Sequence, residues 1–343
     1  MIREDVRFYC GLAGEQDWNH HPMRPGPYTC IAPVYGRTVQ TKRTNKTAVP
    51  KDTAVLMDSG AFSDRLGDRL SFEKAMRRQI AHAYTFDYVD QVTHVASYDL
   101  LIDEKWQDGE RSKIRWSKDE AEFAVKETVA AAQYIVSQRK RLREIFGHSV
   151  GLALSSQGVE VKQYLRCAEK IVPLMDKQHD LFGLGGWCIT GLMPDIILPS
   201  FMEIMDEVIP FLGSQQVAKV HIWGMIFPEG LAYLLNLCDQ EGIKLSTDSA
   251  GPAIGPCRPS WGYGSWRDAT YKMPPILVSC KNKDEQGDKA PICVSGTRCR
   301  GLERCLHVKL TREYLECLRD REPMFYKAPS KTRYKQLRME EAV

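Results

Sequence analysis

Residues 219–248 read KVHIWGMIFPEGLAYLLNLCDQEGIKLSTD and contain the pattern on which the fold prediction rests. The short apolar run Lys219–Trp223 predicts a buried strand, and the amphipathic segment Glu229–Cys238, which closes at Gly242, predicts a helix. A second apolar run, Ile243–Ser246, follows directly. Strand, helix and strand in this order form the unit of a parallel sheet, because a parallel crossover needs a connection long enough to hold a helix.

The same alternation recurs along the rest of the chain. Six further apolar runs predict strands at Val6–Leu12, Thr29–Val34, Ala54–Met57, Tyr88–Ala96, Val150–Ser155 and Leu181–Leu184. Further helices are predicted at Phe201–Phe211 and after Ser117, where Ser117 and Glu120 form a capping-box pattern. Eight strands interleaved with helices are typical of an α/β protein with a (β/α)8 TIM barrel. A doubly wound open sheet would alternate in the same way.

Composition limits the class of protein. The chain has 343 residues, 47 Lys+Arg against 44 Asp+Glu (net charge +3) and 43% hydrophobic residues, which is enough for a large core. The charged fraction of 27% excludes a disordered scaffold. The chain has no run of about 18 apolar residues, so we expect no membrane span. The N-terminus lacks the apolar stretch of a signal peptide, so we expect a cytoplasmic protein whose 11 cysteines are reduced or bind metal.

The composition of the sequence changes after Asp248, which predicts a chain of three parts. Residues 1–250 form the barrel core, residues 251–320 a cysteine-rich zinc-binding subdomain, and residues 321–343 a basic C-terminal tail. The predicted zinc ligands are four cysteines of the middle part: Cys280, Cys293, Cys299 and Cys305. His307 is the substitute for one of them. Zn²⁺ takes four sulfur or nitrogen ligands and supplies folding energy to a segment with little core. The alternative is a set of unrelated reduced thiols.

Polar residues and glycines stand where six of the predicted strands end. They are Asp58-Ser59-Gly60, Asp99, Gln157-Gly158, Gly185-Gly186, Gly224 and Asp248. In a parallel barrel these strand ends lie on one face, where active sites are built from the loops that follow the strands. A single Asp in such a place is usually a helix N-cap or a turn residue. It is therefore the number of these features that predicts a site.

The residue types at these strand ends suit chemistry at a sugar carbon. Of the two carboxylates Asp58 and Asp248, one could attack an electrophilic carbon while the other moves protons. Asp99 and Gln157 offer the acceptors and donors that read the edge of a purine-like base. Glycines let a flat ligand approach the backbone at four positions: Gly60, Gly158, Gly185 and Gly186.

Two assignments stay open at this point. Asp103 lies one helical turn from Asp99 and could be the ligand in its place. His221 either lines the pocket or is a hydrogen-bonded core histidine, since it lies inside a predicted strand.

Basic clusters are the candidate phosphate contacts. They are Arg37, Lys42, Arg43 and Lys46; Arg139, Lys140, Arg141 and Arg143; and the C-terminal tail with Lys327, Lys331, Arg333, Lys335 and Arg338. A charge run is usually a solvated face. A better candidate combines arginines with aromatic rings, which can stack on exposed bases and hold phosphates: Arg298, Arg300 and Arg304 with Trp261, Tyr263 and Trp266.

Ordered short motifs give the chain a resemblance to a known family. In order, they are Met57-Asp58-Ser59-Gly60-Ala61-Phe62, Asp99, Ser156-Gln157-Gly158, Gly183-Leu184-Gly185-Gly186, His221-Ile222-Trp223-Gly224-Met225, Thr247-Asp248-Ser249 and the cysteine-rich segment. Their order and spacing resemble the tRNA-guanine transglycosylases between Asp58 and Cys305. These enzymes exchange guanine for a 7-deazaguanine base without ATP, within an irregular TIM barrel that carries structural zinc.

The resemblance implies a role for each matching residue. Asp248 is the nucleophile that forms a covalent glycosyl-enzyme, and Asp58 is the general acid and base. Residues of the same motifs form the expected substrate-binding set: Ser59, Gly60, Asp99, Gln157, Gly158, Gly185 and Gly186.

Three departures from the family pattern point to one of its branches. The zinc spacing is unusual, Ala61 replaces the second glycine of Asp-Ser-Gly-Gly, and Val159 replaces the second glycine of Val-Gln-Gly-Gly. With the short length, these changes resemble the DNA-guanine transglycosylases (the DpdA group) of phages and genomic islands.

This branch implies a glycosyltransferase of the pentosyltransferase type that acts in the cytoplasm of the cell or phage host. Its implied partners are DNA and a 7-deazaguanine base of the preQ0 type, with a homodimer or partner proteins as further associations and no membrane. The nearest alternative is the same chemistry on tRNA. Two others are a barrel hydrolase with a catalytic metal and a non-catalytic zinc-containing protein that binds nucleic acid.

Overall fold

Eight parallel strands close into a barrel in the computed structural model, which describes residues 6–12, 28–33, 49, 53–64, 69–102, 106–107, 110–111, 117–187, 194–225 and 228–249. The strands are β1 Val6–Leu12, β2 Tyr28–Ile31, β3 Ala54–Met57, β4 Val92–Ala96, β5 Gly151–Ser156, β6 Leu181–Leu184, β7 Lys219–Ile222 and β8 Lys244–Ser249. The ring closes because β1 pairs in parallel with both β2 and β8.

All eight predicted strands are present in the structure, and the closed ring rules out the open-sheet alternative. Three of them have the predicted bounds: β1, β3 and β6. The predicted strand Tyr88–Ala96 begins with a 3-10 turn, Val89–Gln91, before β4. At the other end of the chain, β8 is longer than predicted and contains Asp248. The predicted subdomain 251–320 and the tail 321–343 lie outside the described residues.

Within the described residues, helices follow strands β3 to β7. They are α1 Ala61–Asp64, α2 Phe72–Thr85, α3 Lys118–Ser137, α4 Arg139–Phe146, α5 Val161–Ile171, α6 Pro194–Ser214 and α7 Pro228–Gln240. A small antiparallel pair, Trp106–Gln107 with Glu110–Arg111, lies between β4 and α3. The predicted capping box is confirmed, since Ser117 and Glu120 bond to each other's backbone N–H at the start of α3. Of the helices described, none has both the length and the apolar character to cross a bilayer.

Alternate residues of each strand are buried in two different layers. On β5, Leu152 and Leu154 pack in the large cluster shared with the helices, while Ala153 belongs to a smaller cluster with Tyr9 and Trp223. The smaller cluster fills the barrel interior. Because strands of this kind are buried on both faces, they appear in the sequence as continuous apolar runs.

The basic cluster on α4 is tied to the end of the barrel opposite the carboxyl ends of the strands. Arg139 donates two hydrogen bonds to Asp180 (2.8 and 2.6 Å), whose fully buried carboxylate also accepts from the backbone N–H of Leu152 at 2.8 Å. Arg143 pairs with Asp176 at 3.3 Å. Asp180 directly precedes β6, so this network braces the amino-terminal face. Of the four basic residues in this cluster, Arg139 and Arg143 therefore form structural ion pairs and are not free phosphate contacts.

We expect Arg139→Met to lower the free energy of unfolding by about 3–5 kcal/mol, because it leaves the buried Asp180 carboxylate without its cation. Urea denaturation followed by circular dichroism measures this loss. Arg141→Met is the matched control, since Arg141 is exposed on the same helix and its replacement should change stability by less than about 0.5 kcal/mol. Equal effects of the two substitutions would contradict the assignment.

Candidate active site

The carboxyl ends of the barrel strands bring together side chains that are far apart in the sequence. Asp58 follows β3, Asp99 lies three positions beyond β4, Gln157 follows β5, and Asp248 lies near the end of β8. The convergence expected for a parallel barrel is present, because the charges of Asp248 and Asp99 both act on Asp58. We call this group of four residues the barrel mouth.

Asp58 occupies an environment that favours its neutral form. Burial, followed by the negative charges of Asp248 and Asp99, raises the pKa of Asp58 to about 7 from an ordinary 3.8. The backbone N–H of Gly60 (3.3 Å) and the hydroxyl of Ser59 (3.4 Å) donate to its Oδ1. The backbone N–H groups of Gly60 and Ser59 oppose the rise in pKa only in part. A carboxyl group in this state can give or take a proton near neutral pH.

The turn after Asp58 is held by α2. Arg78 donates to the carbonyl of Ser59 at 2.8 Å and makes a two-pronged ion pair with Asp64 (2.9 and 2.8 Å). Gly60 has a φ of +79°, and a Cβ added there would lie 2.5 Å from Nη2 of Arg78. Glycine is therefore required at this turn both by its backbone conformation and by the close approach of the guanidinium.

Gln79 ties the turn to the neighbouring strand. Its amide donates to the carbonyl of Asp58 at 3.1 Å and to that of Ala96 at 2.9 Å. Ser59 is almost fully buried, and its Oγ also accepts from the backbone N–H of Ala61 at 3.2 Å. The described contacts of Ser59 therefore shape the turn beneath Asp58.

Asp99 and Gln157 form a buried pair across two strand ends. Nε2 of Gln157 donates to Oδ2 of Asp99 at 2.5 Å, and Oε1 accepts from the backbone N–H of Ile102 at 3.5 Å. Burial raises the pKa of Asp99, while the Gln157 amide and the charge of Arg69 act in the opposite direction. Arg69 also donates to the backbone carbonyls of Asp99 (2.8 Å) and Tyr98 (3.0 Å), which fixes the backbone that carries the carboxylate.

Gly185 is needed for this pair to fit. A Cβ added at Gly185 would lie 2.1 Å from Nε2 of Gln157 and 2.8 Å from the carbonyl oxygen of Ser156. Its own carbonyl accepts from the hydroxyl of Tyr164 at 2.6 Å. A Cβ at Gly158 would lie 2.9 Å from the Tyr164 ring, and one at Gly186 would lie 2.9 Å from the Tyr164 hydroxyl. The glycines after β5 and β6 are therefore needed for the packing of Gln157 and Tyr164.

One oxygen of Asp248 has two hydrogen-bond partners. Oδ1 accepts from the backbone N–H of Gly224 at 2.9 Å and lies 3.2 Å from Nε2 of His221. The Asp248 side chain remains 15% exposed, whereas His221 is fully buried. His221 is therefore a buried, hydrogen-bonded histidine of the barrel interior that also contacts Asp248. The two roles considered for it from the sequence, a core histidine and a pocket residue, are compatible.

Several predicted residues lie outside the part of the chain that the structure describes. These are Asp103, the cysteines Cys280, Cys293, Cys299 and Cys305, His307, and the arginine and aromatic group between residues 261 and 304. Within the described residues, no three His, Cys, Asp or Glu side chains are grouped so that they could hold a metal ion. Cys30, Cys167 and Cys238 are buried free thiols.

Sequence reasoning missed the residues that hold the site in place. Arg69, Arg78, Gln79 and Tyr164 contact the strand ends from helices and connections, and nothing in their local sequence marks them. The Arg78–Asp64 pair joins residues that are 14 positions apart, so no helical spacing rule predicts it.

We expect Asp58→Asn to raise the free energy of unfolding at pH 8 by on the order of 1–3 kcal/mol. The folded-state pKa of Asp58 lies above the ordinary value, so the folded protein binds the proton more tightly and loses stability relative to the unfolded chain as pH rises from about 4 to 7. The advantage of the variant should therefore shrink steadily between pH 7 and about 4. Urea denaturation at pH 8 and pH 5 measures the difference.

Asp87→Asn serves as the control for this comparison. Asp87 is exposed and has a φ of 56°, a conformation that Asn tolerates well. Its effect should be small and the same at both pH values. A pH-independent effect of Asp58→Asn would show that the Asp58 carboxyl is not held in its neutral form.

Comparison with known proteins gives no family to which the chain can be assigned. No family model matches the chain, and no curated protein matches it.

Proposed function

We propose that this protein is a DNA-guanine transglycosylase, which exchanges guanine for a 7-deazaguanine base in DNA through a covalent aspartyl-glycosyl intermediate. The observation that carries the proposal is the different state of two carboxyl groups at the barrel mouth. Asp248 has one oxygen held by hydrogen-bond donors, while the raised pKa of Asp58, about 7, suits proton transfer. Two titratable groups whose environments differ in this way fit divided roles as nucleophile and acid–base.

In the first displacement, Asp248 attacks C1′ of the target nucleotide. The new bond joins a carboxylate oxygen to C1′, and the bond between C1′ and N9 of guanine breaks. The electron pair of that bond leaves with guanine, which takes a proton from the neutral carboxyl of Asp58. Negative charge from the carboxylates stabilises the sugar cation that develops in the transition state.

The second displacement reverses these steps with a new base. The Asp58 carboxylate removes the proton from N9 of the incoming 7-deazaguanine, and N9 attacks C1′. The bond between C1′ and Asp248 breaks, and its electron pair returns to the carboxylate. Because Asp58 ends in its neutral form and Asp248 ends as a carboxylate, the site is ready for another turnover.

The Asp99–Gln157 pair supplies the recognition of the base. After their mutual hydrogen bond, Gln157 keeps a second amide hydrogen and Asp99 keeps a second carboxylate oxygen. A donor and an acceptor side by side suit the edge of a purine-like base, which presents both. A base inside a duplex cannot reach such a buried pair, so the target nucleotide has to be flipped out or single-stranded.

DNA is the preferred polymer because of the departures from the tRNA-modifying pattern at Ala61 and Val159. The tRNA alternative uses the same site chemistry. The test incubates the protein with radiolabelled guanine and either guanine-containing DNA or tRNA, and then counts the label in each polymer. We expect label in DNA, and we expect Asp248→Asn to reduce it by on the order of 1,000-fold or more, because the nucleophile is lost.

Two controls interpret the labelling result. Asp58→Asn should reduce the rate by about 100-fold or more through loss of proton transfer, whereas the exposed Asp87→Asn should leave it unchanged. Label in tRNA alone would move the protein to the tRNA-modifying branch. Nucleic-acid binding with no label in either polymer, and an undiminished function in Asp248→Asn, would favour the non-catalytic zinc protein.

The proposal includes one structural zinc ion held by the cysteine-rich segment. Metal analysis of the full-length chain should find about one zinc per molecule. Cys299→Ser should reduce that content and lower the thermal midpoint, because a structural zinc supplies folding energy. Cys317→Ser is the matched control, since Cys317 lies beyond the proposed ligands, and it should leave the zinc content unchanged. A zinc content near zero in the wild-type protein would contradict the assignment.

A further inference from the structure

We propose that His221 is a positioning residue which, together with the backbone N–H of Gly224, holds one oxygen of Asp248 and promotes release of the sugar from that carboxylate. This inference rests on the proposed function. It adds a division of labour between the two oxygens of Asp248 and predicts which of the two displacements depends on His221.

The register of two neighbouring strands creates the arrangement. His221 on β7 is paired with Ser246 on β8, so the two side chains lie on the same face of the sheet. Asp248 lies two positions beyond Ser246 and therefore shares that face. All three side chains line the barrel interior, where the imidazole links the hydroxyl below it to the carboxylate above it.

A hydrogen atom has to lie between His221 and Asp248. Nδ1 of His221 is 2.9 Å from the hydroxyl of Ser246, and that hydroxyl is 3.2 Å from the carbonyl of Val220. If the Ser246 hydroxyl donates to the carbonyl of Val220, Nδ1 of His221 carries a hydrogen and donates it to that hydroxyl. A second hydrogen then lies between Nε2 of His221 and Oδ1 of Asp248. If the hydroxyl donates to Nδ1 instead, the only ring hydrogen is on Nε2. Because the attacking Asp248 is a carboxylate, which only accepts, the hydrogen between the two residues belongs to Nε2 of His221 in both arrangements.

Aromatic rings fix the orientation of the imidazole. The ring of Trp223 packs edge-on against His221 with centroids 4.3 Å apart, and that of Tyr9 does so at 5.8 Å. A fully buried ring held on two sides cannot turn away from Asp248 without displacing its neighbours. The donor is thus in position before any substrate binds.

The two oxygens of Asp248 are consequently not equivalent. Oδ1 receives both donors, while Oδ2 receives no hydrogen bond from the residues that the structure describes. Oδ2 is therefore the oxygen that attacks C1′. Once the Oδ2–C1′ bond has formed, Oδ1 becomes the carbonyl oxygen of a glycosyl ester and carries less negative charge.

Donors on Oδ1 stabilise a carboxylate more than they stabilise an ester, since charge-assisted hydrogen bonds are the stronger ones. In the second displacement, N9 of the incoming base bonds to C1′ while the electron pair of the Oδ2–C1′ bond returns to Asp248. His221 and Gly224 then meet the negative charge as it forms. Loss of the His221 donor should therefore slow release of the sugar more than its attachment.

The experiment measures both steps with guanine-containing DNA. The protein–DNA adduct is trapped by denaturation and quantified on a gel, first without added guanine and then during decay after guanine is added. We expect His221→Met to hold roughly tenfold more adduct at a fixed guanine concentration and to release it roughly tenfold more slowly than wild type. His221→Gln, which keeps an N–H donor on a side chain of similar reach, should recover much of the wild-type release rate.

Two further variants separate this role from a general loss of packing. His94→Met removes another buried barrel histidine, which bonds to the carbonyl of His179 at 3.1 Å and to Thr93, and it should leave the ratio of attachment to release unchanged. Ser246→Ala removes the partner of Nδ1 without touching Asp248, and it should slow release in the same direction but less. It also tests the inference if His221→Met does not fold.

The outcomes separate the inference from the proposed function. Wild-type adduct together with an unchanged attachment-to-release ratio in His221→Met and Ser246→Ala would overturn the role of His221 and leave the transglycosylase intact. Equal slowing of both steps would also overturn it, because it would reduce His221 to a packing residue. A wild-type protein that forms no adduct with DNA or with tRNA would instead overturn the proposed function.

Discussion

Parallel hydrogen bonding of β1 to both β2 and β8 closes the ring and sets the position of every residue at its rim. Because every strand of the ring runs in the same direction, all carboxyl ends meet at one mouth. Asp58 and Asp248 lie on strands that are not neighbours, and they influence each other only because the sheet curves back on itself. An open sheet of the same strands would hold them apart.

Concentrating carboxyl groups in a partly buried mouth is unfavourable, and the structure offsets it in two different ways. Asp248 is supplied with donors, from Gly224 and His221, that suit negative charge. Asp58 has weaker support, and burial beside two other carboxylates raises its pKa to about 7. Burial, together with the charges of two neighbouring carboxyl groups, therefore leaves Asp58 able to exchange a proton near neutral pH.

The two ends of the barrel serve different purposes. At the amino-terminal face, Arg139 neutralises the buried Asp180, whose carboxylate also accepts backbone N–H groups, so the charge there is fully compensated. At the mouth, compensation is partial, and oxygens remain available to a ligand. A barrel whose buried Asp180 is paired at the amino-terminal face can hold a less compensated site at the opposite face.

The strands, a parallel α/β fold and the face that carries the polar strand ends could all be predicted from the sequence, whereas the choice between a barrel and an open sheet required the paired strands of the structure. Buried parallel strands are continuous apolar runs, so Val6–Leu12, Ala54–Met57 and Leu181–Leu184 could be located from local pattern alone, and the capping box at Ser117 is likewise local. The contacts between side chains at the mouth could not be predicted in this way. Gln157 lies 58 positions from Asp99, and His221 lies 27 positions from Asp248. Such contacts depend on strand register and on the curvature of the closed sheet, and neither can be predicted from the residues that flank each position in the sequence.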